Sequence, residues 1–275
     1  MRGIDRKERW PLHRPPALDL ELEAPELHPF MSRDGVELWA AVYRPEGSGK
    51  APVIISVYGG PSAQMVNDSW AQTVDLRAQM LAQHGFVVLK VDNRGSARRG
   101  LRFEAPIWRK TGDIEVRDQV DGVRWLGTLG FADIDRVGIY GWSYGGYMTV
   151  MAMLKAPEIF KVGVAGAPVT DFAGYDTAYT EKYMGMPQEN PEGYREASAL
   201  THVDRLRGKL LLIHGMIDEN VHFRHTARLM QALIDAGKPF ETLIYPNERH
   251  MPRSERDRGD MERRILDFFE RNLLP

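Results

Sequence analysis

Short apolar runs recur along the chain at residues 36–43, 52–58, 86–91, 137–140, 161–165, 209–214 and 240–245. Several, such as Val53-Ile54-Ile55 and Phe86-Val87-Val88-Leu89, are continuously apolar, which is the signature of strands in a sheet covered on both faces. Between the runs lie stretches of helical period: Trp70, Val74, Ala78 and Leu81; then Val116, Val120, Val123 and Leu126; then Phe223, Ala227, Met230 and Ile234, with Gly237 as the expected C-cap. A closing helix is expected over 261–273, with Ile265, Phe268 and Phe269 on one face. Strand and helix alternate, which predicts an α/β chain with a mostly parallel central sheet and helices on both faces. A strand-like stretch at 18–23, with Glu21, Glu23 and Glu26, reads as an edge strand with solvated charges.

The 275 residues suit one α/β domain, and neither an internal repeat nor a low-complexity tract divides them. Residues 1–16, rich in Arg and Pro, read as an N-terminal extension or linker remnant, and 17–275 as the catalytic domain. Hydrophobic residues at 43% and charged residues at 27% are ordinary for a soluble globular chain. With 36 basic against 38 acidic side chains, nothing points to nucleic acid or an anionic membrane as partner, so Arg98, Arg99, Arg253, Arg256 and Arg258 read as solvated. The absence of cysteine excludes disulfides and thiolate chemistry. No metal-ligand spacing or cofactor motif emerges, and no apolar run has the length of a membrane span, so a cytoplasmic chain without cofactor is expected.

Candidate chemistry begins after the apolar run at 137–140. Gly141-Trp142-Ser143-Tyr144-Gly145-Gly146 is G-x-S-x-G between a strand and the helix-compatible stretch 147–154, the context that an α/β-hydrolase fold requires of its nucleophile. The glycines allow a turn too sharp for side chains. That turn lifts the serine Oγ above the sheet and sets the following backbone N–H and a helix N-terminus beside the developing oxyanion.

In this fold the acid and then the histidine follow the serine, each on a loop after a strand. Asp218 follows the run at 209–214, and His250 follows the run at 240–245. Neutral imidazole would take the Ser143 proton, while the carboxylate fixes the tautomer and stabilises the imidazolium. Rival candidates are close by. His214 ends a buried strand and reads as a core hydrogen-bonding residue, His222 and His225 open a helix, and Glu219 and Glu248 flank the chosen pair. Only His250 lies beyond the final strand.

Five words, in order, carry a resemblance: Val57-Tyr58-Gly59-Gly60-Pro61, Asp92-Asn93-Arg94-Gly95-Ser96, Gly141 to Tyr147, Tyr179-Thr180-Glu181-Lys182-Tyr183-Met184, and His214-Gly215 with Asp218-Glu219-Asn220-Val221-His222-Phe223. From about Pro29 onward the chain resembles the dipeptidyl peptidase IV branch of the prolyl oligopeptidase family. The resemblance implies a serine peptidase cleaving after proline or a small apolar residue. It implies that Tyr58 and the Tyr144 backbone N–H hold the oxyanion, that Tyr144, Val169, Phe172, Tyr175, Tyr179 and Val221 line an apolar proline pocket, and that Asn220 holds a substrate carbonyl. Phe172 stands where the branch's type member has tryptophan, so a slightly roomier pocket is expected. Full-length members carry a β-propeller that binds the substrate's free amine. Nothing in this sequence reads as that propeller, so the partner is either such a domain or a second copy of the chain. Two other readings remain beside the peptidase: an esterase or arylamidase for small acyl substrates, and a noncatalytic module that docks on a propeller.

Overall fold

The computed structural model describes residues 21–274, so the extension at 1–16 and residues 18–20 of the first strand-like stretch lie outside the described residues. Eight strands form one sheet in the order β1-β2-β4-β3-β5-β6-β7-β8. They are β1 (Glu26–Met31), β2 (Glu37–Tyr43), β3 (Ala51–Val57), β4 (Val87–Asp92), β5 (Ala132–Trp142), β6 (Phe160–Gly166), β7 (Lys209–Gly215) and β8 (Glu241–Tyr245). The β1–β2 and β2–β4 pairings are antiparallel, and every later neighbour is parallel. The helices are α1 (Trp70–Thr73), α2 (Leu76–Gln83), α3 (Leu101–Glu104), α4 (Ile114–Gly127), α5 (Tyr144–Lys155), α6 (Thr177–Met184), α7 (Pro191–Ala197), α8 (Arg224–Asp235) and α9 (Glu255–Leu273).

Side chains alternate along each central strand, so a continuous apolar run feeds two cores at once. Val53, Ile55 and Val57 of β3, with Val87, Leu89 and Val91 of β4, join one cluster with Val120 and Val123 of α4 and Met148 and Met151 of α5. Ile54, Val88, Leu211 and Ile213 join the other, with Leu81 of α2 and Ile265, Phe268 and Phe269 of α9. The expected sheet with helices on both faces is thus the fold observed, with the strand order and crossovers of an α/β hydrolase.

Three expectations are corrected. Residues 21–23 are not strand; the edge strand is β1, where Pro29 is tolerated because an edge leaves its missing N–H unneeded, and where Glu26 meets His28 and Arg44 in exposed ion pairs. The helix expected from Trp70 to Leu81 is two helices. Asp75 breaks it, because its side chain caps α2 at the Ala78 N–H (3.1 Å) and takes the Lys90 ammonium (2.6 Å), while Trp70 stays exposed. The strand expected at 137–140 extends back to Ala132, since Asp133, Asp135 and Arg136 face outward where β5 leaves the core and so hide its start from any apolar pattern.

Because β3 to β8 run parallel, their carboxyl ends share one edge of the sheet. The turns leaving β3, β4, β5, β7 and β8 at that edge carry Tyr58, Asn93, Ser143, Asp218 and His250.

Candidate active site

Ser143 occupies the single residue between β5 and α5, at φ 61° and ψ −116°. Positive φ is disfavoured for a residue with a Cβ and costs on the order of 1–3 kcal/mol, held here by the surrounding packing. The glycines around it are required by backbone contact. A Cβ at Gly141 would strike the Gly145 carbonyl, one at Gly145 the Val57 carbonyl, and one at Gly146 the Gly166 carbonyl. The Ser143 N–H donates to Gly166 O at 2.8 Å, which fixes the turn against β6.

His250 Nδ1 donates to Asp218 Oδ2 at 2.8 Å, which leaves Nε2 as the acceptor nitrogen. The Asp218 side chain is fully buried and accepts four donors: His250 and His214 on Oδ2, and the Asn220 and Val221 backbone N–H groups, each at 2.9 Å, on Oδ1. Burial opposes the charge, but the hydrogen bonds from His214 and His250, together with the backbone of Asn220, win and hold the carboxyl well below the usual carboxylate range. The histidine's own backbone is clipped to the nucleophile's neighbour, because Trp142 Nε1 donates to His250 O at 2.7 Å. Among the described residues no hydrogen bond joins Ser143 Oγ to His250. That contact commonly tightens only with substrate bound.

The rivals have other partners. Glu248 is buried and accepts from the Arg253 N–H at 2.9 Å, whereas Glu219 sits exposed and pairs with Arg249 at 3.1 Å. His225 is buried in the second position of α8, where its Nδ1 accepts from the Thr170 N–H at 3.3 Å, and burial pushes its imidazole down to about 4. His214 is buried as expected of a core residue, yet its bond goes to the site. Its Nε2–H is shared between Val221 O (2.8 Å) and Asp218 Oδ2 (3.2 Å), and Thr226 Oγ1 fixes its Nδ1 at 2.7 Å. The spacing of His214 and Asp218 across a β-turn is the signal that could have revealed this partnership.

Tyr58 follows β3 directly, and the close approach of Gly145 to Val57 sets it against the start of α5. Its ring centroid lies 6.0 Å from that of Tyr144, with Gly60 wedged between the two rings, and burial pushes its phenol up, so the hydroxyl keeps its proton. Among the described residues the Tyr58 hydroxyl has no hydrogen-bond partner. Tyr144, by contrast, donates its hydroxyl to Glu115 Oε1 at 2.9 Å. Glu115 is wholly buried and also accepts the Gly112 and Asp113 N–H groups; burial pushes its carboxyl up to about 7 against the pull of those bonds. No apolar pattern marks Glu115, because it meets Tyr144 across 29 residues of sequence.

The expected pocket residues divide by burial. Val169, Phe172 and Val221 belong to the core with Tyr144, whereas Tyr58, Tyr175 and Tyr179 are half-buried and pack against that core from the solvent side. The rings fall in two pairs, Tyr144 with Phe172 at 6.1 Å and Tyr175 with Tyr179 at 5.7 Å. Tyr175 donates its hydroxyl to Asn220 Oδ1 at 2.9 Å, which turns the Asn220 amide so that its N–H₂ faces away and is left to donate elsewhere.

Residues 72–274 match the prolyl oligopeptidase family of peptidases. Dipeptidyl peptidase 8 of Mus musculus is 43% identical over 256 residues, covering 90% of this chain and 29% of that protein. Prolyl endopeptidase FAP of Mus musculus is 35% identical over 242 residues, covering 86% of this chain and 32% of its own length. A crystal structure of a candidate dipeptidyl aminopeptidase IV from Bacteroides ovatus superposes with a TM-score of 0.88 at 40% identity, covering 92% of this chain and 36% of that one. The chain therefore spans less than a third of these two curated relatives. No helix among the described residues is long and apolar enough to cross a membrane. A serine at a strained strand-to-helix turn, five sequence words in order and a match over residues 72–274 converge: the chain belongs to the prolyl oligopeptidase family.

Proposed function

We propose that the chain hydrolyses peptide and aryl-amide bonds after proline or a small apolar residue, through an acyl-enzyme on Ser143. The observation that carries this is the hydrogen bond from His250 Nδ1 to the buried Asp218 carboxylate, which supports reading His250 Nε2 as the base for Ser143. In the first step Ser143 Oγ attacks the substrate carbonyl carbon while its proton passes to His250 Nε2. The tetrahedral oxygen takes hydrogen bonds from the Tyr144 N–H and the Tyr58 hydroxyl, which is free to donate and stays protonated. His250 then gives its proton to the leaving nitrogen, the C–N bond breaks, and the acyl group remains on Ser143. Water repeats the sequence: His250 takes its proton, the oxygen attacks the ester, and Ser143 leaves with the proton restored.

The substrate's proline would sit against Tyr144, Phe172, Tyr175 and Tyr179, where a rigid apolar ring loses little entropy, with its neighbouring carbonyl held by Asn220 Nδ2. The free-amine preference of an exopeptidase would need groups that this reading assigns to a propeller or a second copy of the chain. Labelling with a fluorophosphonate, followed by kcat/KM on Gly-Pro and Ala-Pro anilides, N-blocked Pro anilides and p-nitrophenyl esters, tests the proposal. Ser143→Ala is expected to abolish labelling and to cut amide hydrolysis about a million-fold with the fold intact. Activity within tenfold of the parent would sink the assignment. Ester turnover without amide turnover would make the chain an esterase instead.

A further inference from the structure

The word Asp92-Asn93-Arg94-Gly95-Ser96 has no part in the chemistry above, yet it leaves the carboxyl end of β4 buried and polar, with Asp92, Asn93, Arg94 and Ser96 all hidden from solvent. Buried polar groups are costly unless bonded, so their partners show what they hold. Asp92 Oδ1 accepts the Met65 N–H at 2.7 Å and Oδ2 the Val66 N–H at 3.1 Å. Asn93 Nδ2 donates to Gly59 O at 3.0 Å and to Arg94 O at 2.8 Å. The Ala97 N–H adds a third tie, to Ala63 O at 2.8 Å. The segment after β4 is thus fastened at its start, middle and end to residues 59–66, the loop that begins next to Tyr58.

Asn93 is itself held in orientation. Gln119 Nε2, fully buried on α4, donates to Asn93 Oδ1 at 2.9 Å and to Val91 O at 3.2 Å, which fixes which end of the Asn93 amide faces Gly59. Gly59 has φ +73°, and a Cβ there would lie 3.0 Å from both Asn93 Oδ1 and Met148 Cγ, so the loop approaches Asn93 as closely as a glycine permits. Among the described residues the Tyr58 hydroxyl has no hydrogen-bond partner, so its backbone and its ring packing set where it stands.

We infer that Asp92 and Asn93 are positioning residues for Tyr58, and that their hydrogen bonds to the 59–66 loop set the place of the phenol hydroxyl beside Ser143. The inference rests on the proposed role of Tyr58 as an oxyanion donor. Neither residue touches the substrate. Each acts by preventing the Gly59–Gly60 backbone from relaxing away from the start of α5, where a displacement of about 1 Å is enough to cost on the order of a hundredfold in rate.

A double-mutant cycle tests it on the full chain with a Pro anilide substrate. Asn93→Ala is expected to lower kcat by about ten- to a hundredfold with KM changed less than twofold, because the bond it sets is made only in the transition state. In the Tyr58→Phe background the same substitution is expected to do almost nothing further, since there is no hydroxyl left to misplace. Equal losses in both backgrounds, or no loss in either, would overturn the inference. If Asn93→Ala fails to fold, Gln119→Met carries the same cycle. Gln119 Oε1 has no partner among the described residues, so an apolar side chain of similar length removes only the two Nε2 bonds, the grip on Asn93 among them. Full amidase activity in Tyr58→Phe alone is a different result: it removes the oxyanion role of Tyr58 and the positioning inference with it, while fluorophosphonate labelling of Ser143 would still stand.

Discussion

On the side of the site built from the loops after β7 and β8, Asp218 is gripped by four donors and His250 is clipped at both its ring and its carbonyl. On the side built from the loop after β3, the Tyr58 hydroxyl has no hydrogen-bond partner among the described residues, and the grip falls on the backbone beside it. Each arrangement suits the proposed task. A carboxylate that must stay ionised in a buried place needs charge-assisted hydrogen bonds at all times. A donor that should strengthen only as an oxyanion forms must keep its proton uncommitted until then. Two buried carboxyls repeat the contrast, for Asp218 is held low by its donors while Glu115, behind Tyr144, is pushed up by burial to about 7.

The gripped side should fail most heavily when its charge is removed without changing its shape. Asp218→Asn would present an amide to His250 Nδ1 and to His214, favouring the tautomer in which His250 Nε2 carries the proton and cannot act as base. A fall in kcat of about ten-thousandfold, with KM nearly unchanged, is expected on an amide substrate. A loss under a hundredfold would mean that the base is oriented by Trp142 and the loop alone.

The ungripped side should fail by less. Tyr58→Phe removes the proposed oxyanion donor and leaves the loop ties in place, so kcat on an anilide is expected to fall about a hundred- to a thousandfold, roughly 3 to 4 kcal/mol, with little change in KM. Esters, whose leaving groups depart more easily, would show a smaller fall where acylation no longer limits the rate, which makes the amide the decisive substrate.

The two sides also differed in how far the sequence disclosed them. Ser143, Asp218 and His250 were legible because each follows an apolar strand, and continuous runs such as Val53 to Ile55 announce a two-faced sheet. Tyr58 was legible only through the family word around it, since a tyrosine after a strand is otherwise a packing residue. The supports were not legible at all. His214 ends an apolar strand and reads as core, Glu115 lies amid an amphipathic helical pattern, and Asn93 meets Gly59 from 34 residues away. Local periodicity records which face a side chain turns to, and carries no information about which distant polar atom it will meet. The same limit hid β1, whose pairing with β2 rests on partners six or more residues away, such as Met31 with Glu37, and the break at Asp75, whose partner Lys90 lies on β4.

The smallest effect sharpens the contrast between the two buried carboxyls, and it is read in stability. Glu115 has a folded pKa of about 7 against an ordinary value of 4.5, with burial as the main cause. Below 4.5 both the folded and unfolded forms hold the proton, so stability does not depend on pH through this group. Between 4.5 and about 7 the unfolded chain releases the proton while the folded chain keeps it, so the folded form loses stability as pH rises, at about 1.4 kcal/mol per unit. Above about 7 both have released it and the dependence ends. Glu115→Gln keeps an acceptor for the Gly112 N–H and the Tyr144 hydroxyl but cannot titrate. Urea unfolding of both proteins at pH 5 and pH 8 should therefore show the wild type losing roughly 3 kcal/mol relative to the variant over that range, while groups common to both cancel in the difference. Asp218 would give the opposite sign, because a carboxyl held low stabilises the fold above its unfolded pKa and withdraws that support only as pH falls. A difference between wild type and Glu115→Gln that stays flat from pH 5 to pH 8 would mean that Glu115 is already ionised in the folded chain, gripped by its donors as firmly as Asp218 is by its own.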